Sequence, residues 1–321
     1  MTADPSTGRV AVVLMAYGTP RTPAEIEPYY TDIRRGRPPT PEALADLTAR
    51  YAAIGGVSPL AQLTEAQATA LQSALDAAEP GRFGVSLGLK HAEPKVEVTA
   101  QLVAEGGASA VVGLVLAPHY SSYSIGQYLD RVRQGVADSG TTIPVAGVES
   151  WATEPAFVTF LADDLGRRVA AMREQTGGRV RVLFTAHSLP QRIIDDGDPY
   201  PDELRSTAEA VAARIGLIEG DDWQIAWQSA GRTPEPWIGP DILEVIDALG
   251  SDNRDGGDQI AGVIVSACGF VADHLEVLYD LDIEAAGRAT SQGLAFDRTA
   301  CVNDDPTIMA ALAERVRALA P

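Results

Sequence analysis

The chain has 321 residues, a net charge of −19 and 45% hydrophobic residues, which is enough apolar material for two α/β domains. So acidic a protein is a poor partner for nucleic acid and has no basic membrane anchor. Its two cysteines, Cys268 and Cys301, are too few for a disulfide framework or an all-cysteine iron–sulfur site. The N-terminus is polar, and the longest apolar run, residues 110–117, is too short to span a bilayer. We therefore expect a cytoplasmic protein.

Buried-strand patterns alternate with helix patterns along the whole chain. The strand patterns cover residues 10–15, 82–87, 110–117, 143–148, 180–185, 223–227 and 260–267. The helix patterns between and after them cover residues 22–37, 41–51, 63–78, 95–105, 125–138, 155–174, 202–215, 242–249 and 306–319. Such alternation predicts an α/β fold in which helices cover both faces of parallel sheets.

A faint internal repeat predicts two similar lobes. Residues 13–20 resemble residues 183–190, and residues 113–118 resemble residues 262–267. We expect lobes at 1–150 and 151–321, with the final helix packing across the boundary. Loops at the strand ends of both lobes would then face a cleft.

An acidic row follows the strand pattern that ends at residue 267. We predict a helix over residues 271–284 with Asp273 as its N-cap, which places Glu276, Asp280 and Glu284 on one face. Carboxylates without thiolates suit a hard or borderline divalent cation that is bound loosely and passed on. The alternative is a solvated acidic face. The position after a buried strand favours a ligand site.

His187 comes directly after a predicted buried strand, beside Ser188. An imidazole at a strand's carboxyl end can accept a proton near neutral pH, although a core histidine is the alternative. His274 lies two residues before Glu276, so in a helix the two point to different faces and His274 is interpreted as a structural neighbour. The roles of His91 and His119 stay open.

A basic cluster stands out in this acidic chain. It consists of Arg34, Arg35 and Arg37, with Arg50 and Lys90 as further cations. Arginines suit bidentate contact with ligand carboxylates, whereas a solvated helix end is the alternative. The glycine spacing of a P-loop or dinucleotide site is absent, as is a serine nucleophile elbow.

Eight ordered motifs, spread over essentially the whole chain, resemble the ferrochelatases, class II chelatases that insert ferrous iron into porphyrins. The motifs are LMAYGTP (14–20), YAAIGGVSPL (51–60), GLKHAEP (88–94), LAPHY (116–120), TAHSLP (185–190), GDPYP (197–201), WQSAGRTPEPW (227–237) and GFVADHLEVLYD (269–280). The resemblance is strongest to the coproporphyrin III enzymes of Gram-positive bacteria and actinobacteria. It implies two Rossmann-like lobes with a porphyrin cleft between them.

The activity implied by the resemblance is insertion of Fe²⁺ into coproporphyrin III, giving coproheme in haem biosynthesis. Alternatives are a protoporphyrin IX ferrochelatase, a cobalt chelatase of the same fold, or a non-catalytic porphyrin or haem carrier. The presence of both His187 and Glu276 argues against a carrier. Tyr17 and the anchor-free chain favour the substrate with four propionates.

The same resemblance implies roles for individual residues. His187 and Glu276 match the metal-insertion pair, and with Asp280 and Glu284 they make up the metal-contacting set. Tyr17 matches a tyrosine that ligates iron in the product complex. The other porphyrin-contacting positions are Arg34, Arg50, Tyr51, Ser58 and Tyr128. Which member of the pair takes the proton and which holds iron stays open.

The resemblance also implies the partners. Coproporphyrin III and Fe²⁺ are the expected substrates, and no other cofactor is expected. Relatives that hold an iron–sulfur cluster use four cysteines, so no cluster is expected here. We expect a monomer that makes transient contact with other haem-pathway enzymes and binds neither nucleic acid nor membrane.

Overall fold

The computed structural model describes residues 8–231, 233–254 and 259–321. The polar residues 1–7 and Arg232 of the 227–237 motif lie outside the described residues. The chain divides into two compact units, Met1–Trp151 with Asn303–Pro321 and Ala152–Val302. The last helix, Pro306–Leu319, packs on the helix Leu60–Ala78 and so belongs to the first unit. The sequence-based division counted residues 151–321 as the second lobe but expected the final helix to pack across the boundary.

The first unit is built on a four-stranded parallel sheet. Its strands are β1 (Val10–Ala16), β2 (Phe83–Leu89), β3 (Ala110–Val115) and β4 (Val145–Val148), in the order β2-β1-β3-β4. Its α-helices are α1 (Ile26–Ile33), α2 (Pro41–Ala53), α3 (Leu60–Ala78), α4 (Val96–Glu105), α5 (Gln127–Asp138) and α11 (Pro306–Leu319). All seven residues of β1 are buried, as expected for a central strand covered on both faces.

The second unit repeats this topology. Its strands are β5 (Arg179–His187), β6 (Trp223–Gln228), β7 (Ile260–Ser266) and β8 (Ala295–Arg298), in the order β6-β5-β7-β8. Its α-helices are α6 (Pro155–Thr176), α7 (Gln191–Asp195), α8 (Tyr200–Ile215), α9 (Ile242–Arg254) and α10 (Ala286–Ser291). The two sheets have the same strand order, with β5 in the place of β1 and β7 in the place of β3. The predicted repeat is thereby confirmed.

Each sheet has a topological switch point at its first strand. In the second sheet β6 lies on one side of β5 and β7 on the other. The connection from β5 to β6 and the connection from β6 to β7 therefore run in opposite directions across the sheet. In open parallel sheets, ligands bind in the crevice at the carboxyl ends of such strands. His187 is the last residue of β5 and Gln228 the last of β6, so both lie at this edge.

The helix predicted over residues 271–284 differs in the structure. Residues 271–274 are not helical, and a π-helix runs over Glu276–Ala285 before continuing into α10. Asp273 is not an N-cap, because its carboxylate pairs with Arg298 instead. The core residues Val277, Leu281 and Ala285 are fully buried at a spacing of four. That spacing places the three side chains on one face of the helix.

Other elements also differ from the predictions. The strand β8 and the short helix α7 had not been predicted. The helix expected over residues 22–37 is a 3₁₀ turn, Pro23–Glu25, followed by α1. It ends early because Arg35 and Gly36 adopt left-handed backbone conformations, with φ of 57° and 82°. Among the described residues, no helix is both long and apolar enough to cross a membrane.

Candidate active site

His187 presents its Nε2 atom at the carboxyl edge of the second sheet. Its Nδ1 lies 2.5 Å from the carbonyl oxygen of Ser188. Because a carbonyl only accepts, Nδ1 carries a proton, and in the neutral imidazole the lone pair is then on Nε2. Nε2 lies 3.7 Å from Oε1 of Glu276, and the side chain is 36% exposed. The Nε2 atom is therefore placed where it can accept a proton from a bound ligand.

Glu276 lies between two imidazoles. Its Oε2 atom is 3.6 Å from Nε2 of His274, whose Nδ1 donates to the carbonyl oxygen of Ala272 at 2.9 Å. The prediction that His274 points away from Glu276 was wrong, because His274 precedes the π-helix rather than lying within a helix. The site thus contains a second histidine that helical spacing concealed.

The pKa of His274 is raised by its surroundings. Burial lowers it, but the Glu276 carboxylate, the Ala272 carbonyl and the charge of Asp280 together raise it more. This histidine and carboxylate form a pair in which a proton can be held close to His187.

The start of the π-helix is tied to the strand ends by Gln228. Its Nε2 donates to the main-chain oxygen of Glu276 at 3.3 Å. Its Oε1 accepts from the hydroxyl of Thr185 on β5 at 2.9 Å. Gln228 and Thr185 are buried, so the amide is held in one orientation and fixes Glu276 relative to β5 and β6.

The remaining carboxylates of the row differ in exposure. Asp280 is 8% exposed and accepts a hydrogen bond of 2.5 Å from Ser229, a residue with a left-handed φ of 58°. Glu284 is exposed. Burial and the nearby charges of Glu244 and Glu284 raise the pKa of Asp241, so this end of the row is strongly negative. Within the described residues no three His, Cys, Asp or Glu side chains converge on one metal position.

Tyr17 follows β1 in the first unit and is 43% exposed. Its ring centroid lies 4.6 Å from that of His91. Nδ1 of His91 donates to Asp32 at 2.7 Å, and Asp32 also accepts from Lys95 at 2.9 Å. Burial lowers the pKa of His91 to about 4, although Asp32 opposes that shift. His91 is therefore a neutral support for the Tyr17 ring at physiological pH.

Lys90 lies over the ring of Tyr128, with Nζ 5.2 Å from the ring centroid, and donates to Gln127 at 3.1 Å. Burial lowers its pKa to about 8, helped by the charges of Arg131 and Arg35. Burial also raises the pKa of Tyr128, whose hydroxyl stays protonated. The carboxyl edge of the first sheet is therefore cationic, in contrast to the acidic edge of the second.

The predicted porphyrin-contacting residues fall into two groups. Arg34, Arg35 and Arg37 are exposed, and no carboxylate in residues 8–231, 233–254 or 259–321 forms an ion pair with them. Arg50 instead pairs with Asp46 on its own helix at 3.3 Å. The remaining three residues, Tyr51, Ser58 and Tyr128, are buried.

Hydrogen bonds already engage two of these buried side chains. The hydroxyls of Tyr51 and Thr19 lie 3.3 Å apart, and Ser58 Oγ accepts from the main-chain N–H of Leu60 at the start of α3. These residues shape the first unit from within, whereas the three unpaired arginines line its exterior.

Comparison with known proteins agrees with this geometry. The solved structure of the sirohydrochlorin chelatase SirB from Bacillus subtilis subspecies spizizenii, in complex with cobalt, matches with a TM-score of 0.54 at 11% identity, covering 97% of this chain and 95% of that one. At that identity the match shows the fold alone, and it confirms two Rossmann-like lobes with parallel sheets.

Two curated relatives match at much higher identity. A ferrochelatase from Herpetosiphon aurantiacus is 41% identical over 301 residues, covering 94% of this chain and 96% of the relative. A coproporphyrin III ferrochelatase from Anoxybacillus flavithermus is 43% identical over 305 residues, covering 95% of this chain and 94% of the relative. The Ferrochelatase family model matches residues 9–319. The chain therefore belongs to the ferrochelatase family, as its motifs had indicated.

Proposed function

We propose that this chain inserts ferrous iron into coproporphyrin III to give coproheme, acting in the cytoplasm as a monomer and without a further cofactor. The observation that carries the proposal is the position of Glu276 between Nε2 of His187 and Nε2 of His274 in a member of the ferrochelatase family. The relatives named coproporphyrin III ferrochelatases support the choice of substrate.

Metallation exchanges two pyrrole protons for one Fe²⁺, so the net charge of the porphyrin core does not change. In the proposal, His187 takes one of the two pyrrole protons at Nε2, because its Nδ1 is committed to Ser188. The Glu276 carboxylate, with His274 beside it, takes the other proton, so both N–H bonds break and both protons have an acceptor. Fe²⁺ arrives along Asp280 and Glu284, whose oxygens suit a hydrated cation in transit.

The first unit would hold the porphyrin. Tyr17 is placed to offer its hydroxyl to iron, and Arg34, with Arg35 and Arg37, to pair with propionates. Arg50 could exchange its Asp46 partner for a propionate, because the two ion pairs are chemically equivalent. Tyr51, Ser58 and Tyr128 would support the porphyrin surface from their buried positions.

Coproporphyrin III is expected to be metallated with a kcat/KM about tenfold above that of protoporphyrin IX. It has four propionates rather than two, and each extra ion pair with an exposed arginine contributes about 1 kcal/mol or less. Two such pairs correspond to at most roughly thirtyfold in binding. Anaerobic incubation with Fe²⁺ and each porphyrin, in detergent and followed by absorbance, measures the difference.

The double variant Arg34→Gln/Arg37→Gln should narrow this preference. The control is Arg133→Gln on α5 of the same unit, an exposed arginine paired with Asp130. Comparable rates of iron insertion into both porphyrins by the wild-type protein would overturn the choice of coproporphyrin III as the substrate. No iron insertion into either porphyrin, above an enzyme-free blank, would overturn the proposed function.

Tyr17→Phe is expected to keep kcat within about threefold while changing the absorbance spectrum of the ferric product complex. The ring and its contact with His91 are kept, and only the hydroxyl that would ligate iron is lost. Tyr30→Phe on α1, which also removes one hydroxyl from the first unit, is the control. A ferric spectrum identical to that of the wild type would exclude Tyr17 as the ligand.

A further inference from the structure

Arg298, at the end of β8, makes ion pairs with two carboxylates of the segment that leads into and forms the π-helix. Its Nε lies 2.6 Å from Oδ1 of Asp282 and its Nη2 lies 2.9 Å from Oδ2 of the same residue. Nη2 also lies 3.0 Å from Oδ1 of Asp273. The arginine side chain is only 16% exposed, and its contact with Asp273 is partly buried, whereas Asp282 lies at the surface.

The two partners lie on either side of His274, Glu276 and Asp280 in the sequence. Asp273 immediately precedes His274, and Asp282 lies within the π-helix beyond Asp280. We propose that Arg298 is a positioning residue that sets the distance of Glu276 from the imidazoles of His187 and His274. The expected effect on catalysis rests on the proposed function.

The segment needs such support because its backbone geometry is unusual. Most π-helices are single turns inserted into α-helices, whereas this one has ten residues. One side is anchored in the core by Val277, Leu281 and Ala285. Residues 271–273 precede the first helical hydrogen bonds, which the main-chain oxygen of His274 accepts from Val277 and Leu278. The Asp273–Arg298 contact therefore holds the segment immediately before the helix that carries Glu276.

Only an arginine fits these contacts. Its planar fork binds both oxygens of Asp282 and still presents an N–H to Asp273, whereas a lysine ammonium is a single point on a flexible stem. With lysine at this position the charge balance is kept but one of the two carboxylates is released. Glu276 would then shift, and displacement of a reacting group by about 1 Å costs up to ~10²-fold in rate.

The test compares Arg298→Lys and Asp282→Asn with wild type, using steady-state insertion of Fe²⁺ into coproporphyrin III. We expect kcat to fall about tenfold in each variant, while the KM for porphyrin stays within about twofold. Arg288→Lys is the control, because Arg288 lies on α10, directly after the π-helix, but pairs with Asp247 on α9. Its kcat should stay within about twofold of wild type.

Two further readouts separate positioning from general stability. When Glu276 has already been replaced by Gln, adding Arg298→Lys should lower kcat by less than about a further twofold, because Arg298 acts through Glu276. Amide hydrogen exchange over residues 273–285 should rise in Arg298→Lys and not in Arg288→Lys. A wild-type kcat in both Arg298→Lys and Asp282→Asn, or a full tenfold loss in the Glu276→Gln background, would overturn the proposal.

Failure of the proposed function gives a different pattern. Wild-type protein would then fail to insert iron, and hydrogen exchange alone would decide whether Arg298 orders the segment. In that case, unchanged amide hydrogen exchange over residues 273–285 in Arg298→Lys would overturn the positioning role. A rise in Arg298→Lys but not in Arg288→Lys would support it.

Discussion

Replacing His187 with alanine is expected to lower the rate of iron insertion by about 10²-fold or more while coproporphyrin III still binds. The imidazole is the side chain at the carboxyl edge of the second sheet whose Nε2 is oriented, by the bond from Nδ1 to Ser188, to accept a proton. The porphyrin contacts are proposed for the first unit and are untouched by the change. Anaerobic absorbance gives the rate, and fluorescence titration of the porphyrin gives its affinity.

His91→Gln is the matched control for this experiment. His91 is also half-buried after a strand end, but burial lowers its pKa to about 4 and Asp32 engages its Nδ1. It should therefore retain a rate within about threefold of wild type. A near wild-type rate in His187→Ala would remove His187 from the mechanism.

The three acidic residues are expected to differ in their effect on iron insertion. Glu276→Gln should lower kcat by about 10²-fold at saturating iron, because Glu276 adjoins both imidazoles. Glu284 is exposed, so Glu284→Gln should only raise the KM for iron a few-fold, an effect that about 0.5 M salt should remove. Asp280→Asn should lie between them, because Asp280 is buried and bonded to Ser229. Rates at varied iron concentration and ionic strength measure this order.

An exposed carboxylate elsewhere in the second unit provides the control. Glu209→Gln on α8 removes the same charge from a helix that carries none of the proposed site residues. Its iron KM should be unchanged. Equal losses of kcat at saturating iron for Glu276→Gln, Asp280→Asn and Glu284→Gln would contradict a path that ends at Glu276.

Much of the fold could be predicted because its signals are local. The buried runs that became β1 and β5 are continuous and apolar, and similar segments follow both, so the repeated sheet topology was visible in the sequence. The last helix was predicted at its observed bounds because Asp305 caps it and Pro306 begins it. His187 was proposed as a site residue because an imidazole at a strand's carboxyl end can accept a proton and because it matches the TAHSLP motif.

The π-helix could not be predicted by assuming α-helical geometry. Val277, Leu281, Ala285 and Ala289 are all fully buried at a spacing of four. Residues four apart share one face of an α-helix as well, so this apolar row does not distinguish the two helix types. An assumed α-helix over residues 271–284 hid the contact between His274 and Glu276.

The strand β8 was missed for a different reason. It has four residues, all half-buried, and two of them are charged, so no apolar run or alternation marks it. Its pairing with β7 depends on the tertiary fold. Because Arg298 lies on this strand, its contacts with Asp273 and Asp282 could not be predicted from the sequence.

The central claim is that His187 and Glu276 act together to insert iron, and single-turnover insertion into pre-bound coproporphyrin III tests it most directly. The rate is compared in wild type, His187→Ala, Glu276→Gln and the double variant, under anaerobic conditions with saturating Fe²⁺. Residues that act as a unit are strongly non-additive, so the double variant should be no more than about threefold slower than the slower single variant. Independent losses that multiply to about 10⁴-fold, or a double variant that metallates bound porphyrin at the wild-type rate, would contradict the claim.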